Sequence, residues 1–239
     1  MNGVVILKSN VLNSTIIRLT FMDRKDVKYY DQKEEKLNVL SHGIGLILSV
    51  VALILLVVFS SIRGNAWHIV SFSIYGASLI VLYSASTLYH YVQSPKLRYR
   101  LNIFDHASIY ILIAGTYTPF TLVVLDGWVG WTIFGVSWGL AILGVILKLF
   151  FTGRFDKIST IAYVLMGWVI IFAIKPLVHN LPFEGLMWLL GGGISYTVGA
   201  LLYSLKKMKY NHAIFHIFVL IGSFCHFMVV FFYVLPIKK

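Results

Sequence analysis

The chain of 239 residues is 59% apolar and only 12% charged, about half the charged fraction of soluble proteins, so it cannot cover itself with polar surface. Its formal net charge of +11 is often a sign of nucleic-acid binding, but the positions of the basic residues are better explained by orientation in a membrane. Together with the single cysteine, Cys225, these values exclude a soluble enzyme, a nucleic-acid-binding protein and a disulfide scaffold.

The first 35 residues alternate between polar and apolar and carry charges from Lys8 to Glu35. They contain no continuous apolar region of signal-peptide length before a small-residue cleavage site, so we interpret residues 1–35 as a mobile cytoplasmic tail. The remaining residues, 36–239, are predicted to form one transmembrane domain, since the loops between their apolar stretches are short.

Seven stretches are long enough to cross a bilayer, which requires about 20 mostly apolar residues. They are Gly43–Ser61, Ile69–Tyr91, Ile103–Leu125, Val129–Phe150, Ile158–Leu177, Phe183–Leu205 and Ala213–Leu235. Charges, Gly or Pro separate them. The sequence therefore predicts an all-α integral membrane protein, a bundle of seven transmembrane helices, and a multi-pass location in a membrane, with a bacterial plasma membrane favoured.

The basic residues predict the orientation, because Lys and Arg concentrate in cytoplasmic loops. One side has sixteen of them: Lys8, Arg18, Arg24, Lys25, Lys28, Lys33, Lys36, Lys96, Arg98, Arg100, Lys148, Arg154, Lys157, Lys206, Lys207 and Lys209. The other side has four: Arg63, Lys175, Lys238 and Lys239. We therefore expect a cytoplasmic N-terminus and an outside C-terminus, opposite to G-protein-coupled receptors.

Ionisable groups inside spans are costly, and each is a candidate site residue. Of the nine acids, only Asp105 is predicted to lie at a span edge between apolar flanks, while the others are assigned to the tail or loops. Five of the eight histidines fall near predicted cytoplasmic span ends: His42, His90, His106, His212 and His216. This clustering indicates a site at that side of the membrane.

The predicted topology places four of these groups at one membrane depth, since span two ends near His90, span three begins with Asp105, and span seven begins with His212 and His216. The last two are four residues apart and so share one helix face. Ser86 and His90 have the same spacing, which puts the serine hydroxyl one turn deeper.

Three neutral imidazoles with a nearby carboxylate suit Zn²⁺, and three protein ligands are typical of an open, catalytic zinc site. Zinc lowers the pKa of bound water to ~7, and Asp105 would accept that proton or orient the water while Ser86 hydrogen-bonds nearby. The alternative is that the His-x-x-x-His spacing arose by chance and that interfacial histidines contact lipid headgroups. His226, deeper in span seven, is interpreted as a histidine packed between helices.

Several motifs, each weak alone, together resemble the haemolysin III group of bacterial membrane proteins, within the progestin and adipoQ receptor superfamily. They are Glu35-x-x-Asn38-x-x-Ser41-His42-x-x-Gly45, Ser86-x-x-x-His90, Phe104-Asp105-His106, Ala114-Gly115-Thr116-Tyr117-Thr118-Pro119-Phe120 and His212-Ala213-Ile214-Phe215-His216. The resemblance covers about Glu35 to the C-terminus.

The resemblance implies a seven-helix bundle with an intramembrane zinc near the cytoplasmic leaflet, held by His90, His212 and His216. Ser86 and Asp105 match the family's Ser and Asp near the metal-bound water. The likeness of this site to that of alkaline ceramidases suggests hydrolysis of a lipid amide. Glu35, Asn38 and His42 match family positions, where capping of span one and bracing of the site are equally plausible roles.

Three functions from different classes follow. The first is a zinc-dependent hydrolase of a lipid amide or ester, with Asp105 and Ser86 as catalytic residues and a membrane lipid as substrate. The second is a non-enzymatic sensor or receptor-like protein in which zinc braces the helices and a lipid ligand shifts them. The third is a haemolysin, which the lack of a repeated polar stripe along any span disfavours.

Overall fold

The computed structural model describes residues 28–125, 127–205 and 207–235, and these contain helices and no strand. Seven helices are long and apolar enough to cross a membrane, and we number them α1 to α7. They are Gln32–Arg63, Ala66–Tyr91, Pro95–Val124, Gly127–Phe151, Lys157–Asn180, Phe183–Ser204 and Asn211–Val234. The predicted all-α fold with seven spans is confirmed.

Helices α1 and α3 begin well before their predicted apolar stretches, at residue 32 and not 43, and at residue 95 and not 103. Helix α1 begins at Gln32, where the Asp31 side chain accepts a hydrogen bond from the Lys33 amide at 3.0 Å and caps the first turn. Helix α3 begins at Pro95, because proline suits the first position of a helix. A search for apolar stretches finds the part of a helix that crosses lipid and misses these polar first turns. Of the predicted tail, residues 1–27 lie outside the described part of the chain.

Three spans change helix type along their length, and one of them, α7, ends in a π-helical turn, Val230–Val234. After Pro119, α3 passes into a π-helical turn, Phe120–Val124, as expected where a ring without an amide hydrogen interrupts the α-helical pattern. A 3₁₀ turn, Val169–Ala173, interrupts α5. The irregular turns in α3 and α5 contribute residues to the wall of the cavity described below.

Small residues allow α6 and α7 to pack closely. A Cβ atom at Gly199 would lie 2.8 Å from the Phe218 Cβ, and one at Gly192 would lie 2.4 Å from the His226 ring. Close backbone approach of this kind is a usual way for helices to associate in membranes. Elsewhere in the bundle, the end of α2 lies next to the start of α7 and the start of α1. We call this end of the bundle the histidine end and the opposite one, around Asn65 and Trp131, the far end.

Candidate functional site

Three histidine side chains from two helices converge at the histidine end. His90 comes from the last turn of α2, and His212 and His216 come from the first turns of α7. All three are buried, and the Nε2 atoms of His90 and His212 are 3.0 Å apart. One ligand atom from each ring lies within 4.8 Å of the others. The three side chains therefore form a buried group that could hold a metal ion.

The other ring nitrogens of two of these histidines contact residues of α1. Nδ1 of His90 lies 2.7 Å from Oε2 of Glu35, and Nδ1 of His216 lies 3.3 Å from Oγ of Ser41. A carboxylate on one imidazole nitrogen orients the ring and makes the other nitrogen a better metal ligand. Glu35 thus leaves Nε2 of His90 available on the side of the other histidines.

Arg98 holds the second oxygen of the Glu35 carboxylate. Its guanidinium forms an ion pair with Oε1 of Glu35 and donates hydrogen bonds to the carbonyl oxygens of Lys28, His90 and Val92. The aromatic rings of Tyr29 and Tyr89 lie 4.4 and 4.7 Å from the guanidinium carbon. The side chain is fully buried. Arg98 is therefore part of the site, in addition to being one of the basic residues counted for orientation.

Residues 28–31 pass over the histidines before α1 begins. The Tyr30 ring stacks on the His212 ring with centroids 4.5 Å apart and an angle of 21° between the planes. The Tyr30 amide donates to Oε1 of Glu35 at 3.0 Å. Burial raises the pKa of the Tyr30 phenol well above its ordinary value, so the hydroxyl stays protonated. This segment covers His212 with a neutral aromatic surface.

Glu34 and Glu35 correct one expectation, since both acids were assigned to the tail. Both lie in the first turn of α1, and Glu34 is buried. Oε1 of Glu34 accepts a hydrogen bond from the His212 amide at 3.2 Å, satisfying one of the amides that the start of α7 leaves free. The histidines that they contact are 55 and 178 positions away, and the one local signal was the acidic pair before an apolar helix.

His42 is a fourth buried histidine beside the group. Its ring stacks on that of His216, with centroids 3.5 Å apart and planes at 11°. Neither ring nitrogen of His42 has a hydrogen-bond partner among the described residues. Together with Glu35, Ser41 and the 3.3 Å contact from Asn38 Nδ2 to His90 Nδ1, this makes the start of α1 one side of the site. Of the two roles considered for Glu35, the contacts favour bracing of the site.

Ser86 and Asp105, the predicted catalytic residues, line the same cavity as His212 and His216. Both are buried. The Ser86 hydroxyl has no hydrogen-bond partner within the described part of the chain. Nor does the Asp105 carboxylate make a hydrogen bond or an ion pair with any described residue. Two polar groups with unused hydrogen-bonding capacity thus face the space beside the histidines.

The cavity has a volume of about 370 Å³ and runs from the histidines into the interior of the bundle. Its walls are mainly apolar, with contributions from α1, α2, α3, α5, α6 and α7. Polar groups are concentrated at the histidine end, and His226 lies deeper. A largely apolar cavity with a few convergent polar groups is typical of a site for a small amphipathic molecule.

Comparison with known proteins identifies the family. The model of the "Haemolysin-III related" family matches residues 30–227. Hemolysin-3 of Bacillus cereus is 52% identical over 204 residues, covering 85% of this chain and 93% of the relative. The Hemolysin-3 homolog of Bacillus subtilis is 48% identical over 201 residues, covering 84% and 94%. The human monocyte to macrophage differentiation factor is 25% identical over 204 residues, covering 81% and 82%. This seven-helix membrane protein therefore belongs to the haemolysin III-related family.

Proposed function

We propose that the protein is a zinc-dependent hydrolase that cleaves a lipid amide or ester within the membrane, at the cytoplasmic leaflet. The observation that carries this proposal is the convergence of three buried imidazoles, two of which, His212 and His216, line the polar end of a deep apolar cavity. Such an arrangement suits hydrolysis of a lipid within the membrane, since it can reach a polar bond while the apolar chain stays out of water.

The side chains present fit zinc. His90, His212 and His216 offer three neutral imidazoles, and zinc sites with three protein ligands keep a position open for chemistry. The contact between Glu35 and His90 is the kind of outer interaction that zinc-binding histidines usually have. Zinc bound there would supply Lewis acidity toward a carbonyl group and lower the pKa of water to ~7.

Asp105 is the acid at the site that is best suited to move a proton. Glu35 is held by His90 and Arg98, and Glu34 accepts from the His212 amide. Asp105 has no such engagement with the described residues and lines the cavity. In the proposed reaction its carboxylate accepts a proton from water and delivers it to the leaving amine or alcohol.

Ser86 is proposed to hold the substrate. Its hydroxyl is buried, faces the same space as Asp105 and lacks a partner among the described residues. A hydroxyl can donate to a carbonyl oxygen or accept from an amide, so it can orient the polar group of a lipid beside the histidines. The apolar walls would then hold the acyl chain.

The test is an Asp105→Asn variant, which keeps the size of the side chain and removes the proton acceptor. We expect wild-type zinc content and thermal stability with turnover of a lipid amide or ester lower by ~10²-fold or more, the scale of general acid–base catalysis. The matched control is Glu184→Gln, which changes an exposed carboxylate in the first turn of α6 and leaves turnover unchanged. A stable Asp105→Asn protein with full zinc and wild-type turnover would remove Asp105 from the mechanism.

A non-enzymatic sensor is the second candidate, favoured by the way the site joins separate helices. His90 belongs to α2 and His212 and His216 to α7, so a metal here would join these two helices, and the Glu35–His90 contact would link α1 to them. Bound zinc with no turnover of any lipid amide or ester in the wild type would support this second function over the first.

A further inference from the structure

The cavity has a second polar point, far from the three histidines. His226 lines it and lies on α7 ten residues beyond His216. At 1.5 Å per residue, this is about 15 Å deeper in the bundle. The walls between these two histidines include apolar side chains such as Ile109, Leu112 and Val219. A buried histidine at the deep end of an apolar wall requires a specific explanation.

The hydrogen bonding of His226 defines what it can bind. Its Nδ1 lies 2.9 Å from the carbonyl oxygen of Gly222. A carbonyl oxygen only accepts, so Nδ1 carries a hydrogen. The ring is neutral, since no described carboxylate pairs with it and a buried unpaired charge is costly. Nε2 is therefore an acceptor. It makes no hydrogen bond with a described residue, and part of its surface stays accessible.

Neighbouring residues fix the orientation of this ring. Gly192 leaves room for it, because a Cβ atom there would lie 2.4 Å from the imidazole. The Tyr196 ring stacks on it with centroids 5.4 Å apart, and the Tyr196 hydroxyl lies 2.9 Å from Oγ of Ser223. The same Oγ accepts a hydrogen bond from the Tyr83 hydroxyl at 2.8 Å. His226 thus packs between α6 and α7 and also holds a hydrogen-bond acceptor, Nε2, in a fixed position at the cavity wall.

We propose that His226 is a recognition site for a hydroxyl group on the lipid that occupies the cavity. The ligand class is an acyl lipid whose polar head lies at His90, His212 and His216 and whose chain carries a hydroxyl about 15 Å away. The chain hydroxyl donates to Nε2 of His226, while the methylene groups contact the apolar wall. This inference rests on the proposed function in requiring that a lipid enters the cavity head-first at the three histidines.

Binding of free fatty acids to the purified protein tests the inference without any turnover. The probes are stearic acid, 12-hydroxystearic acid and 6-hydroxystearic acid, each measured by displacement of a fluorescent fatty acid. We expect 12-hydroxystearic acid to bind about tenfold more tightly than stearic acid, the value of one well-placed hydrogen bond. The hydroxyl of 6-hydroxystearic acid falls short of His226 and gives no gain.

Two variants identify the residue responsible. His226→Phe keeps a ring of similar size and removes the acceptor, so stearic acid binding persists and the gain from the distant hydroxyl is lost. Gly192→Ala displaces the ring and has the same effect, which keeps the test available if His226→Phe does not fold. Gly191→Ala is the matched control, since its Cβ would only meet the Cys225 sulfur at 3.9 Å, an ordinary contact.

The outcomes separate this inference from the proposed function. Equal binding of stearic and 12-hydroxystearic acid to the wild type would overturn the role of His226 and leave a lipid hydrolase intact. A preference that persists in both His226→Phe and Gly192→Ala would also overturn it. Failure of all three fatty acids to bind would overturn both the inference and the proposed lipid substrate.

Discussion

The two histidines at the ends of α2 show why burial alone does not identify a site. His68 at the far end and His90 at the histidine end are 7% and 1% exposed. Nδ1 of each ring has a polar neighbour, Asn65 for His68 at 2.9 Å and Glu35 for His90 at 2.7 Å. Only His90 has other histidines on its second nitrogen. Convergence of imidazoles from separate helices is what distinguishes a candidate metal centre.

The origin of the two sets of contacts also differs. His68 is bound within its own first turn, where it and Asn65 form a capping box. This contact joins two residues only three positions apart. The partners of His90 are 55 and 122 residues away along the chain, on α1 and α7. Its role exists only after the bundle has assembled.

The largest expected difference between the two ends is which side of the membrane they face. In an otherwise unchanged protein, Arg63→Cys at the far end and Lys207→Cys at the histidine end place exposed thiols on opposite sides. The native Cys225 is buried and gives a low background. Because basic residues mark the cytoplasmic side, an impermeant thiol reagent applied to intact cells should label only Arg63→Cys. Labelling of both positions from outside would contradict the predicted orientation.

The next largest difference should be in the zinc content of variants at His90 and His68. We expect His90→Ala to lose zinc on dialysis, since removing a ligand costs more than the 10–100-fold typical of an outer contact. His68→Ala should keep the wild-type zinc content and lose about 1 kcal/mol of stability with its capping hydrogen bond. Zinc analysis and thermal unfolding measure both. Equal zinc in the two variants would refute the assigned site.

Arg98 tests how strongly the histidine end depends on its buried ion pair. Arg98→Met removes the guanidinium and leaves the Glu35 carboxylate without its cationic partner, which should lower the free energy of unfolding by about 3–5 kcal/mol. Arg100→Met, on the same helix but exposed, is the matched control and should change it little. Chemical denaturation of the two purified variants and the wild type measures these free energies of unfolding. Similar midpoints would mean that the Arg98 contacts contribute no more than a surface charge.

The smallest expected effect is on metal affinity through Glu35. Glu35→Gln keeps the length of the side chain but weakens its hold on His90, so zinc affinity should fall about 10–100-fold. Competition with a chelator of known affinity measures this change. Glu184→Gln serves again as the control, because that carboxylate is exposed and lies in the first turn of α6, at the far end of the bundle. Unchanged affinity in Glu35→Gln would leave Glu35 with a role in helix packing alone.

The sequence by itself determined the seven spans and the residues most central to the candidate site. A lipid-exposed backbone must satisfy its own hydrogen bonds, so long apolar stretches form helices and little else. Once the spans are known, their alternation puts the end of α2 and the starts of α3 and α7 at one depth. That shared depth, with the four-residue spacings of Ser86 to His90 and of His212 to His216, is the basis on which His90, His212, His216, Asp105 and Ser86 were predicted as site residues.

Only the tertiary structure decided what surrounds those residues. Arg98 and Glu35 looked like solvated charges beside a span, yet Arg98 is fully buried and Glu35 is partly buried, and the two form an ion pair next to His90. The stacking of Tyr30 on His212 and the cavity that reaches His226 depend in the same way on which helices become neighbours. Hydropathy gives the depth of a residue in the membrane. Lateral neighbours are set by packing between helices, which the sequence pattern of a single span does not encode.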